Sequence, residues 1–136
     1  MNLLPDYFLH RIEARFVSKK MFYCVYMPVQ MSKYNELKDD FRKNNLPINW
    51  EMGMIEKACV LGFGTIGLTH ESGDWNIEEE FIAYKLIGDY SQMKDTYAKI
   101  RKDYPKSCNF YNLYLTDPNI TKMEENITYI MFQVQE

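Results

Sequence analysis

Hydrophobic and polar positions change period several times along the chain, and each change marks an expected element. Residues 11–17 and 20–27 alternate with a period of two and read as short strands broken at Ser18-Lys19. In the second, Met21, Tyr23 and Val25 fall on one side and Phe22, Cys24 and Tyr26 on the other. Both faces are apolar, which suits a strand covered on both sides. Pro28 lacks a backbone donor and is expected to end it. The period then lengthens. Tyr34, Leu37 and Phe41 share one side of a helix capped by Ser32, with Lys38, Asp39 and Arg42 opposite, and Asn44-Asn45 and Pro47 stop it.

The middle of the chain is harder to read. Ile48, Trp50, Met52 and Met54 alternate like a strand, while 58–69 looks extended but is loosened by Gly62, Gly64 and Gly67. Residues 70–76 read as a polar loop holding Gly73 and Trp75. Clear patterning returns at the strand 81–87, which Gly88-Asp89 turns into a helix over 91–103. Met93, Tyr97, Ile100 and Tyr104 form its stripe, and Pro105 ends it. Residues 110–115 and 127–134 then form two strands. The polar connection between them is too short for a crossover helix, so they are expected to pair antiparallel.

A weak internal repeat aligns residues 22–43 with 81–102 without gaps, placing Ser32 on Ser91, Tyr34 on Met93 and Phe41 on Ile100. Each copy is a strand, a turn and a helix with basic residues near its end. Any two amphipathic units share some of this pattern by chance. Read as a true repeat, it predicts two modules, at roughly 11–70 and 78–136, within one α+β domain spanning 1–136. Their sheets would join about a pseudo-twofold axis and leave a central cleft between the helices.

Composition sharpens this picture in one respect. The chain holds 11 Tyr, 8 Phe, 9 Met and 2 Trp, a supply of broad rings and adaptable thioethers that serves either an aromatic core or a pocket wall. Charge argues against nucleic acid: 16 Lys and Arg face 19 Asp and Glu, and the short basic groups Arg42-Lys43 and Arg101-Lys102 sit at helix ends, where they complement the dipole. No apolar run is long enough for a membrane span, and residues 1–9 lack the basic start of a secretory signal. Cys24, Cys59 and Cys108 are odd in number and widely spaced, which implies unpaired thiols and a cytoplasmic location.

Few motifs carry chemistry. Gly62-Phe63-Gly64-Thr65-Ile66-Gly67 has dinucleotide-loop spacing, but the following residues are not a convincing helix, so no cofactor is expected there and the glycines suit a twisted strand. His10 and His70 lack partners at metal-ligand spacing, and Cys108 lacks a base, so neither a metal nor a catalytic residue is assigned. Glu78-Glu79-Glu80 reads as a solvated approach to a strand. More informative is the strand at 110–115, where Phe110, Asn112 and Tyr114 share one face. An amide among aromatics either serves the core or hydrogen-bonds a bound molecule. Tyr84 and Tyr90 face the same choice.

Ile87-Gly88-Asp89-Tyr90 and Phe110-Tyr111-Asn112-Leu113-Tyr114-Leu115-Thr116-Asp117-Pro118 resemble the turn and the strand-and-loop of the GyrI-like effector-binding domain. That domain is the sensing half of many MerR- and AraC-type transcription regulators and also occurs alone, as in a DNA gyrase inhibitor. Residues 12–26 are similar to the family's opening hairpin, and the internal repeat agrees with its duplicated strand-helix-strand-strand plan. The resemblance implies small-molecule binding by a sensor or sequestering domain. Two departures accompany it. The family's strand glutamate, which contacts cationic aromatic ligands in drug-sensing members and does chemistry in some hydrolytic relatives, corresponds to Asn112. An amide supplies neither a full charge nor a general base. The first module is also short and irregular over 50–69.

These readings together predict an apolar or aromatic ligand bounded by Trp50, Trp75, Tyr84, Tyr90, Asn112 and Tyr114. Trp50 and Trp75 are nominated by ring size alone. No helix-turn-helix module fits within the chain, so regulatory output would pass through a partner protein. A protein-binding module similar to the gyrase inhibitor is the alternative, and it predicts an exposed apolar or acidic patch around residues 78–80. An enzyme would require another acid, such as Glu51 or Glu56, pointing into the cleft. An open sheet edge would allow a homodimer.

Overall fold

The computed structural model describes residues 7–23, 31–59, 63–105 and 109–133. Its elements run β1 (Tyr7–Tyr23), α1 (Met31–Lys43), β2 (Met54–Cys59), β3 (Phe63–Thr69), β4 (Trp75–Ile87), α2 (Gln92–Asp103), β5 (Asn109–Tyr114) and β6 (Ile127–Phe132), with one 3-10 turn at Met123–Glu125. The fold is α+β, with two helices and a six-stranded antiparallel sheet among the described residues. The sheet closes into a barrel in the order β1-β3-β2-β5-β6-β4. Every described strand is therefore paired on both sides, and the open edge expected to admit a second copy is absent among them.

Closure depends on the first strand. The break expected at Ser18-Lys19 is instead a change of partner within one continuous strand: β1 pairs with β4 from Tyr7 to Phe16 and with β3 from Phe16 to Tyr23. Asp74 holds the crossing point, accepting from the Ser18 amide at 2.9 Å and the Ser18 hydroxyl at 2.7 Å. Polar residues there satisfy the handover between neighbours rather than interrupt the backbone. Gly67 and Gly73 permit close packing beside it. A Cβ at Gly67 would lie 2.9 Å from the Phe16 Cβ, and one at Gly73 would lie 2.4 Å from the Phe16 carbonyl.

Gly64 and Gly67 lie within strand β3, with no helix following, so the glycine run does not open a dinucleotide loop. Trp75, expected in a loop, is the first residue of β4. The alternation of Ile48, Trp50 and Met52 does not make a strand: Met52 and Gly53 amides fold back onto the Asn49 carbonyl at 3.2 and 2.7 Å, and β2 starts only at Met54. Ser32 lies inside the first turn of α1 and is not its cap. The helix stops where expected. Asn45 adopts φ 55°, its amide meets the Arg42 carbonyl, and the Leu46 amide meets the Phe41 carbonyl at 2.8 Å, the paired bonds of a left-handed helix terminator. The expected ends at Pro28 and Pro105 differ in status: Pro28, together with Cys24, Gly62 and Cys108, lies outside the described residues, whereas α2 ends at Asp103.

The two surfaces of the closed sheet carry separate cores. Tyr34, Leu37 and Phe41 of α1 and Met93, Tyr97 and Ile100 of α2 bury against Met54, Ile66, Leu68, Leu86, Phe110, Tyr114, Ile130 and Phe132. Ile12, Phe16, Ile55, Ile77, Phe81, Leu113 and Met131 pack together on the other surface, which no helix residue joins. Each large apolar side chain so buried contributes roughly 1.5–3 kcal/mol before entropy is counted. No described helix is long and apolar enough to cross a membrane.

Candidate functional site

Strand alternation places Glu56 between Met54 and Ala58 on the helix-covered surface, where it is 0% exposed. The antiparallel register sets it directly opposite Asn112, with Tyr114 two residues further along the same face of β5. Asn112 Nδ2 donates to Glu56 Oε1 at 2.9 Å, and the Tyr114 hydroxyl donates to the same oxygen at 2.8 Å. Desolvating a carboxylate costs several kcal/mol. Each hydrogen bond to a charged acceptor returns about 1.5–3 kcal/mol. A carboxylate, an amide and a phenol thus form a compact polar group inside an aromatic shell.

The shell comes from both helical regions. Tyr34 of α1 meets the Tyr114 ring edge-on at 5.7 Å, and Tyr90, in the turn before α2, does so at 5.7 Å from its own side. Tyr97 of α2 packs on Phe110 at 4.9 Å. Complete burial pushes the Tyr34 phenol well above its ordinary range, and the nearby Glu56 adds to the effect, followed by Tyr90 and Tyr97. Burial, reinforced by Asp117, pushes Tyr90 up to about 12. Both phenols therefore stay protonated and act as neutral hydrogen-bonding groups at physiological pH. Two buried atoms here, the Tyr34 hydroxyl and Asn112 Oδ1, have no hydrogen-bond partner among the described residues. An orphaned buried polar atom costs about 1–3 kcal/mol, which a bound molecule or ordered water would recover.

Of the residues nominated from sequence, Asn112 and Tyr114 meet at Glu56, and Tyr90 packs on Tyr114. Trp50 packs half-buried against the same core. Tyr84 lies on this core too, but it stacks on Phe132 at 6.4 Å, and burial followed by Asp103 raises its phenol, which places it toward the C-terminal end of α2. Trp75 belongs to the opposite surface, tilted against Phe16 at 6.1 Å. Two further residues complete the group: Tyr34, expected in the core stripe of α1, and Glu56, expected to matter only as an acid that an enzyme would require. The available signal is an acid at Glu56 in alternation with Met54 and Ala58, two positions the sheet buries.

Glu51 is exposed in the turn before β2, away from this group. His10 stands edge-on to Phe8 and Tyr129, and burial lowers its pKa; His70 Nδ1 lies 2.7 Å from the Ser72 hydroxyl. Among the described residues, no three His, Cys, Asp or Glu side chains gather as metal ligands. A separate surface hollow of about 420 Å³ is lined by Glu13, Arg15, Asn49, His70 and Glu78, among others, and by none of the nominated residues. No family model and no curated protein matches this chain.

Proposed function

We propose that the chain binds an aromatic small molecule between its two helices and the β2–β5 strand pair, as a stand-alone sensor or sequestering domain similar to the GyrI-like effector-binding domains. The observation that carries this reading is the buried polar group of Glu56, Asn112 and Tyr114 inside an aromatic shell, beside which the Asn112 carbonyl oxygen and the Tyr34 hydroxyl have no hydrogen-bond partner among the described residues. Buried polar atoms left in that state are better accounted for by a ligand than by folding. The place of Glu56 also answers the departure at Asn112: the carboxylate missing from that position stands directly across the ladder, where opposed Cβ atoms are about 4.5–5.5 Å apart.

The duplicated plan is part of the proposal. The element order repeats strand-helix-strand-strand, and exchanging β1 with β4, β2 with β5 and β3 with β6 reproduces the barrel order in reverse. The symmetric β2–β5 pair at its centre carries Glu56 and Asn112. Tyr90, half-exposed and resting on Tyr114, is the ring a ligand would displace to reach the central cleft.

A charge series tests this reading. Benzamidinium, benzamide and benzoate, titrated into the full chain by calorimetry, should bind in that order, and Glu56→Gln should flatten the series. Equal binding of benzamidinium and benzoate, or a series unchanged in the variant, would refute it. The protein-binding alternative rests on the exposed acids Glu13, Glu78, Glu79 and Glu80, which the β1–β4 register gathers on neighbouring strands. A domain of that kind would show no dependence on Glu56 at all.

A further inference from the structure

The amide of Asn112 is oriented by its neighbour. Its nitrogen donates to Glu56 Oε1 at 2.9 Å, so the carbonyl oxygen is turned away from that contact. That oxygen is buried and has no hydrogen-bond partner among the described residues, and the same holds for the Tyr34 hydroxyl. Asn112 is fully buried, so solvent at the surface does not satisfy it. Two acceptors of different kinds, one ionic and one neutral, thus stand on directly opposed residues of the ladder.

Resting on the binding reading above, we propose that Asn112 determines specificity. It selects cations that carry N–H groups, such as an amidinium, a guanidinium or a protonated primary amine on an aromatic body, over quaternary cations of equal charge. Coulomb attraction to Glu56 does not distinguish the two classes. Hydrogen bonding does. Beside Glu56, an N–H cation gives one hydrogen to Asn112 Oδ1, and the Tyr34 hydroxyl can accept another. A quaternary cation covers the same oxygen with methyl groups, which removes water from it without supplying a donor. Sites with a buried unpaired acceptor reject such analogues strongly.

The test compares benzamidinium with phenyltrimethylammonium on the full chain. The wild-type protein should bind benzamidinium at least about tenfold more tightly, a difference of about 1.4 kcal/mol. In Asn112→Leu the ratio of the two affinities should fall to near one, and Asn112→Ser offers a smaller change of the same sign should the leucine variant not fold. Equal wild-type affinities, or a preference that survives in the folded variants, would overturn the role of Asn112 and leave the cation reading standing. Binding of neither probe would overturn both.

Discussion

Glu56 ties together three side chains whose energies do not add. Its Oε1 is the common acceptor for Asn112 and Tyr114, so removing it orphans two buried donors at once. Glu56→Gln keeps an acceptor in place, and its unfolding free energy should stay within about 1 kcal/mol of wild type. Glu56→Leu alone should cost at least about 2 kcal/mol, while Glu56→Leu combined with Asn112→Leu and Tyr114→Phe should recover most of that loss. Urea unfolding of the four proteins measures this, and an additive series would show that the three residues do not act as a unit. The phenols add a pH dependence. Tyr90 ionises near 10 when unfolded and at about 12 when folded, so the unfolded chain gives up the proton first. Stability is complete below pH 10 and falls as pH rises from 10 to 12. Tyr90→Phe should reduce that fall in the urea midpoint, and an identical alkaline slope in the variant would contradict the assignment.

Elements differ in how much of their ending is written locally. The stop of α1 lies in one residue: Asn45 at φ 55° lets two amides turn back onto the last carbonyls. Asn45→Ala should destabilise by about 1 kcal/mol and Asn45→Gly should be neutral or slightly stabilising, read from thermal unfolding; equal effects would place the strain elsewhere. Such signals explain what was legible beforehand. Both helix stripes, the alternation of Phe110, Asn112 and Tyr114, and the antiparallel β5–β6 pairing follow from patterns spanning a few residues. The continuity of β1 does not, because Ser18 and Lys19 look like a break until Asp74, 56 residues away, supplies the partner. Glu56 was obscured for a related reason. Its stretch has no clear period, and its significance comes only from pairing with Asn112, again 56 positions distant.

At the scale of the whole molecule, closure replaces the open sheet that local patterns suggested. A strand's alternation says which side is buried but not whether the last strand meets the first. Here the answer rests on the length of β1, which at 17 residues reaches both β3 and β4. With every described strand paired, the two cores are held on opposite surfaces of one wall. The Glu56 group sits on the surface that the two helices cover.

The position of β6 in this wall has a consequence for how the protein is made. It is the last described strand to leave the ribosome, yet it belongs between β4 and β5, both synthesised earlier. Until it arrives, those two strands present unsatisfied edges, which are templates for pairing with other chains. The nascent chain therefore carries a gap in its wall until β6, the stave that fills it, is delivered.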